Sequence, residues 1–333
     1  MKPMARMRGL RELQLAISHE HPKIHAEIRR HLATLPENTR RTAEHLFLAG
    51  GKLLRPLLTL LTGRALGCKD DGLYTLGAAL EMVHAATLLH DDILDNSHLR
   101  RGQSAAHIRF GAVPALLSGD ALLAKALRMV ASFGDPGFID CVAEAVMRTA
   151  EGEIAEFACL RDISLSHEDY LGIVTGKTAW MLRAACELGA LSARAEPPLL
   201  EAAAVFGLEL GIAFQIVDDA LDFYPSRAEA GTGKPRGGDL REGKVTPPLL
   251  FHLEGLSARE AAIFRKNFAD NAFSDADLER ICDEIYNKGC AERARNLAEE
   301  HLGQAEKALA AFPPTPEHRI LLQITRYILT RKE

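Results

Sequence analysis

The chain is 333 residues long, 47 % hydrophobic and 26 % charged, a soluble globular composition with enough apolar side chains for a sizeable core. Its formal net charge of −5 leaves no basic excess or stripe, which argues against a nucleic-acid binder. The six cysteines (Cys68, Cys141, Cys159, Cys186, Cys282 and Cys290) form no CxxC pair and no Cys/His metal spacing, so they read as reduced, buried thiols of an intracellular chain.

The start, MKPMARMRGLRELQL, is basic but lacks the apolar run and small-residue cleavage site of a signal peptide. No uncharged apolar stretch reaches the roughly 20 residues that a membrane span requires, so a soluble, cytoplasmic protein is expected. Helical periodicity then dominates. It predicts helices over 74–95, 113–133 and 197–224, all Ala/Leu-rich, poor in β-branched residues and far longer than a strand. The segment 225–248, PSRAEAGTGKPRGGDLREGKVTPP, is rich in Gly, Pro and charge and too long for a tight turn, which makes it a candidate lid. Two more helices are predicted over 290–312 and 317–332. No strand alternation is convincing, and no linker divides the chain. The expected fold class is all-α, a single domain over 1–333, with inner helices apolar nearly all round and ringed by others.

The helix 74–95 ends in LLHDDILDNSHLRRG, with Asp91, Asp92 and Asp95 followed by Arg100 and Arg101. Residues four apart share a helix face, so Asp91 and Asp95 stack while Asp92 points about 100° away. Carboxylates at a helix C-terminus oppose the macrodipole, so this arrangement costs stability unless a cation offsets it. The pattern recurs in FQIVDDALDF, where Asp218, Asp219 and Asp222 end a second apolar helix. Two such clusters, facing one another, suit Mg²⁺ shared with substrate phosphates, because hard oxygen ligands are how that ion is held. Cationic residues supply the complement: Lys52 and Arg55 in GGKLLRP, Arg100 and Arg101, Lys177 beside Thr178 in GKT, and Lys234 and Lys244 in the candidate lid. Together these residues describe a site for two diphosphates, one bridged by metal and one gripped by Lys and Arg.

With these segments placed, the chain resembles the trans-type polyprenyl diphosphate synthase family. The resemblance rests on GGKLLRP (50–56), EMVHAATLLHDDILDNSHLRRG (81–102), GDALLAKAL (119–127), EGE (151–153), TGKTAWMLRAACELGA (175–190), GIAFQIVDDALDF (211–223) and GKPRGGDLREGKVTPPLL (233–250). They follow the family's order across about 200 residues. The resemblance implies a helical bundle around a deep central cavity, usually homodimeric, with three Mg²⁺ ions. It implies stepwise addition of isopentenyl diphosphate to an allylic diphosphate such as farnesyl or geranylgeranyl diphosphate. By motif position, Asp91 and Asp95 would bind two ions, and Asp218, with Asp222 nearby, the third. Lys52, Arg55, His84 and Arg101 would hold isopentenyl diphosphate, and Arg100, Lys177, Lys234 and Lys244 the allylic diphosphate. Thr178 and Gln215 would lie along the forming allylic cation.

Product length is expected to depend on side chains below Asp91. Ala86 and Thr87 are small where short-chain relatives of this kind carry aromatics, and the first acidic motif has no two-residue insertion. Both points favour a medium to long, octaprenyl-like product for a quinone side chain. Leu80 and Leu122 are candidates for a deeper floor, and GDALLAKAL lacks the aromatics that long-chain members carry there. The alternatives are a short-chain farnesyl or geranylgeranyl diphosphate synthase, and a non-catalytic partner subunit. The partner-subunit reading is disfavoured by two intact acidic clusters. A terpene cyclase is disfavoured by the second DDxxD together with GGKLLRP. No amphipathic anchor is evident, so membrane association is expected to be loose at most.

Overall fold

The computed structural model describes residues 3–48, 50–225 and 236–331, with side chains from residue 11 onward. In chain order the helices are α1 (Pro3–Leu32), α2 (Glu37–Leu48), α3 (Leu54–Ala65), α4 (Gly72–Leu94), α5 (Ala106–Phe110), α6 (Ala112–Ala131) and α7 (Pro136–Ala158). They continue with α8 (His167–Val174), a π-turn (Thr175–Ala179), α9 (Trp180–Ser192), α10 (Pro197–Leu221), α11 (Gly238–Glu242) and α12 (Pro247–Glu254). The last are α13 (Ala258–Ala269), α14 (Asp275–Asn287), α15 (Cys290–Leu309) and α16 (Pro316–Thr330). The class is all-α, as the periodicity predicts. Among the described residues the exception is a two-residue antiparallel ladder, β1 (Leu99–Arg100) with β2 (Gln103–Ser104).

Local chemistry sets the boundaries. Ser166, Ser257 and Ser274 each cap a helix, accepting from the backbone N–H three residues on while Asp169, Glu260 and Asp277 bond back to the cap. Leu94 ends α4 before Asn96, which adopts positive φ. The ladder turns through Arg101 (φ 52°) and Gly102 (φ 76°), the two positive-φ positions of a tight hairpin whose twist matches its strands.

The chain divides into two compact units, each assembled from interleaved segments: 1–146, 181–207 and 308–324 in the first, and 147–180, 208–307 and 325–333 in the second. In the first unit α4 packs against α6, α3 and α1. Its close approach to α3 depends on Gly77, where an added Cβ would lie 2.9 Å from the Cα of Pro56. Gly72–Leu94 and Pro197–Leu221 are long and apolar enough to cross a bilayer, but 67 % and 56 % of their most apolar windows are buried inside the protein. They are therefore core helices, and their hydrophobicity is spent on packing.

Glu20 ties α1 to α3 and α4. It accepts from Arg64 Nη1 at 2.7 Å and from the Tyr74 hydroxyl at 2.5 Å. Burial pushes its pKa up, but hydrogen bonds from Tyr74, Arg64 and His19 outweigh this and hold it at about 2. A depressed carboxylate stabilises the fold above its unfolded pKa, and that stability is lost as pH falls toward the folded value. Between about pH 4.5 and pH 2, wild type is expected to lose about 1–2 kcal/mol through this group, solvent screening included. Glu20→Gln is expected to start lower at pH 7 by a similar amount and to lack that loss, as read by denaturant unfolding at both pH values.

Candidate active site

The first unit carries a cationic site. The GGKLLRP segment enters α3 through Leu53, whose left-handed backbone (φ 45°, ψ 40°) persists because its side chain is buried. This places Arg55 in the interior, with its Nε buried and lacking a hydrogen-bond partner. Burial lowers its pKa from the usual guanidinium value, and Glu81 works in the other direction. Glu81 on α4 is itself buried, its Oε2 lacks a hydrogen-bond partner, and burial raises its pKa against the pull of Arg55 and Arg101. Burial, then Arg55, Arg101 and Arg100, push His84 well below the normal imidazole range, so it is neutral and can both donate and accept. Gly51, Glu81, His84 and Arg101, with His25 from α1, line a small cavity. The Arg101 guanidinium rests on Gly51, where an added Cβ would lie 3.1 Å from Nη1. Lys52 is exposed.

The two adjacent arginines part company in the hairpin. Arg100 Nε donates to Asp92 Oδ1 at 2.9 Å, and its Nη2 contacts the same oxygen. Arg100 is therefore paired with the first acidic cluster, whereas Arg101 turns to the cavity. Asp92 is 1 % exposed and its Oδ2 is buried without a hydrogen-bond partner. Asp91 is half-buried and Asp95 exposed. Of the product-floor residues, Leu80 and Leu122 are fully buried and Ala86 is 2 % exposed, whereas Thr87 is partly exposed, its hydroxyl bonded to the His84 carbonyl at 2.9 Å.

The second unit carries a site of its own, around a cavity whose walls include Glu156, Tyr170, Lys177, Thr178, Asp219 and Lys244. Lys177 and Thr178 sit in the π-turn, a conformation frequent at functional sites. Glycines hold the turn in place. A Cβ on Gly152 would lie 2.3 Å from the Lys177 backbone nitrogen, and one on Gly211 would lie 2.5 Å from the Cα of Ala179. Gly152→Ala is therefore expected to displace Lys177, costing about 1–3 kcal/mol in stability and at least about 100-fold in activity, measured by thermal unfolding and steady-state turnover.

Lys177 Nζ lies 2.9 Å from Glu153 and 2.5 Å from Glu156, and Lys244 Nζ lies 2.7 Å from Glu242 and 3.9 Å from Glu156. Burial lowers both lysine pKa values, but these carboxylates more than reverse the effect, so both ammonium groups stay charged. Thr178 Oγ1 donates to Gln215 Oε1 at 2.9 Å, and Gln215 Nε2 donates to Asp219 Oδ1 at 2.7 Å. Asp222 Oδ2 accepts the Asp239 backbone N–H at 3.0 Å, and Asp218 Oδ1 accepts from Arg331 Nη2 at 3.1 Å. Lys234 and the candidate lid's residues 226–235 lie outside the described residues; from its described part, Arg236 bonds the Phe223 and Cys282 carbonyls and Asp283.

The acidic residues fit a bound cation. Burial raises Asp219 to about 7, with Asp218 and Glu156 adding to the effect, and burial plus Asp222 and Asp219 raise Asp239 well above the carboxylate range. Such crowding of buried negative charge is relieved by a cation. Among the described residues no three or more His, Cys, Asp or Glu form a ready-made metal cage. Mg²⁺ does not require one, since one or two carboxylates with phosphate oxygens and water complete its shell.

Paired cationic and acidic sites on an all-α scaffold define an enzyme that handles diphosphates with a divalent cation. The chain belongs to the polyprenyl synthetase family, whose model matches residues 36–285, and it is a prenyltransferase. It is 33 % identical over 282 residues to octaprenyl diphosphate synthase of Escherichia coli (strain K12), covering 85 % of this chain and 86 % of that protein. A polyprenyl synthase from Caulobacter crescentus CB15, crystallised with calcium and isoprenyl diphosphate, superposes with a TM-score of 0.91 at 35 % identity, covering 97 % of this chain and 98 % of that one. A decaprenyl diphosphate synthase from Rhodobacter capsulatus gives a TM-score of 0.89 at 32 % identity, over 96 % and 98 % of the two chains. These neighbours share the all-α type I isoprenoid synthase fold.

Sequence reasoning missed Glu81, Glu156, Tyr170 and Asp239. Glu153 and Glu156 carried a weak signal, being three apart and hence on one helix face. Glu81 lies three residues before His84 on α4 and shares its face in the same way.

Proposed function

We propose that this chain is an all-trans polyprenyl diphosphate synthase, condensing isopentenyl diphosphate head-to-tail with an allylic diphosphate to give medium to long, octaprenyl-like products. The observation that carries this reading is the division of labour between the two sites. Arg55 and Arg101 with neutral His84 suit a diphosphate held directly, without metal. Lys177 and Lys244, beside Thr178 and Gln215, suit a diphosphate whose carbon end becomes a cation.

Mg²⁺ is the cation proposed, three ions in all, held by Asp91 and Asp95 and by Asp218 with Asp222. When bound, it supplies charge stabilisation to the departing diphosphate. The lysines hold the same leaving group, and the oxygen atoms of Thr178 and Gln215 tolerate the adjacent positive carbon without attacking it. No side-chain carboxylate is assigned as the base; the departing diphosphate takes the proton. Segment 225–248 is assigned the exclusion of water, which would quench the cation.

A homodimer is proposed as the working form. Ile108, Val113, Leu116 and Leu117, on α5 and α6, are 45–65 % exposed, an apolar surface suited to a second copy. The site of action is proposed to be the cytoplasm, with loose membrane association at most. The test is pyrophosphate release by purified protein. It is expected only when isopentenyl diphosphate, farnesyl or geranylgeranyl diphosphate and Mg²⁺ are all present, and release independent of the allylic partner would overturn the reading.

A further inference from the structure

Asp219 is 6 % exposed, and both of its carboxylate oxygens are engaged. The hydroxyl of Tyr170, from α8, donates to Oδ2 at 2.6 Å, and the side-chain amide of Gln215, one turn earlier in α10, donates to Oδ1 at 2.7 Å. Tyr170 is 3 % exposed, so its hydroxyl has little access to water as an alternative partner.

With both Asp219 carboxylate oxygens already accepting, the Gln215 amide is held in one orientation. Its NH₂ faces Asp219 and its Oε1 faces Thr178, whose hydroxyl donates to it at 2.9 Å. With that proton committed, the Thr178 oxygen has only lone pairs left to offer the cavity that it lines. The sign of the dipoles at Thr178 and Gln215 is therefore set by the carboxylate that Gln215 binds. Were the amide reversed, NH₂ would face Thr178, and its hydroxyl proton would be free to point into the cavity.

We propose that Tyr170 and Asp219 form a buried positioning pair that fixes the polarity of the Thr178–Gln215 wall toward positive charge, and that Asp219, unlike Asp218 and Asp222, is not a metal ligand. The proposal rests on the condensation reading, because a cationic intermediate is what makes the sign of the wall matter. Both residues line the same cavity, and in this scheme both act on the wall through Gln215.

The test compares wild type, Tyr170→Phe and Asp219→Asn, which preserve side-chain shape. The first readout is binding, without turnover, of two allylic diphosphate isosteres. One carries a protonated nitrogen at the carbon that becomes cationic, and the other is the neutral carbon analogue. Wild type is expected to prefer the cationic isostere. Asp219→Asn, which lets the amide turn, is expected to reduce that preference about tenfold or more, and Tyr170→Phe to reduce it by a smaller factor. Turnover should fall in the same order with the KM for isopentenyl diphosphate unchanged. The second readout is Mn²⁺ titration by electron paramagnetic resonance, in which both variants should bind as wild type does. An unchanged preference in both variants, or a loss of Mn²⁺ affinity of about tenfold or more in Asp219→Asn, overturns the proposal. If wild type forms no condensation product, the functional reading fails separately, and the ratio of isostere affinities still reports the polarity of the wall.

Discussion

Asp91→Asn is expected to lower kcat by about 1,000-fold or more while leaving the circular dichroism spectrum unchanged and Tm, in cation-free buffer, unchanged or slightly raised. The reasoning follows from where the residue sits. It belongs to the last turn of α4, where a negative charge opposes the helix dipole and faces Asp95 one turn on. Removing the charge is expected to harm the chemistry far more than the fold, a combination that a merely solvated helix end does not produce. Asp92 behaves differently. Its pairing with Arg100 and its 1 % exposure mean that Asp92→Asn removes the charge from a partly buried ion pair, with an expected stability loss of about 1–3 kcal/mol. Comparing unfolding with turnover for the two variants tests whether Asp91 acts in the chemistry and Asp92 in the fold.

Thr87→Phe is expected to shift the product distribution toward shorter chains at nearly wild-type stability. Thr87 lies four residues before Asp91, so it is on the same helix face and about 6 Å below it. Its side chain is partly exposed, which leaves room for a ring that blocks a growing tail. Ala86→Phe is expected to shorten the product as well, but at a cost. Ala86 is 2 % exposed, so the ring overpacks the core, with a penalty of about 1–3 kcal/mol. Chromatography of the products, alongside denaturant unfolding, checks both effects. Unchanged chain length in Thr87→Phe would move the floor deeper, toward Leu80 and Leu122.

The helices bearing the acidic clusters were legible because long Ala/Leu periodicity has one structural solution, and the clusters themselves because like charges crowded at a helix end require a partner. Other features were not legible, for physical reasons. The hairpin at Leu99–Ser104 has strands of two residues each, too short for alternation to register, yet it decides that Arg100 meets Asp92 while Arg101 meets the cavity. Glu81 reads as one more polar residue until α3 brings Arg55 beside it. Tyr170 and Asp219 are 49 positions apart, and their bond exists only once α8 packs near α10. The two compact units leave no linker to find, because each is woven from separated stretches of chain. Local pattern reveals which residues carry charge; tertiary packing decides which of them meet.

The most direct measurement is the length of the product made by purified protein from excess isopentenyl diphosphate, farnesyl diphosphate and Mg²⁺, read by mass spectrometry. The account predicts a ladder ending in the heptaprenyl to octaprenyl range or beyond, abolished by a chelator. A folded protein that extends no allylic primer would contradict it.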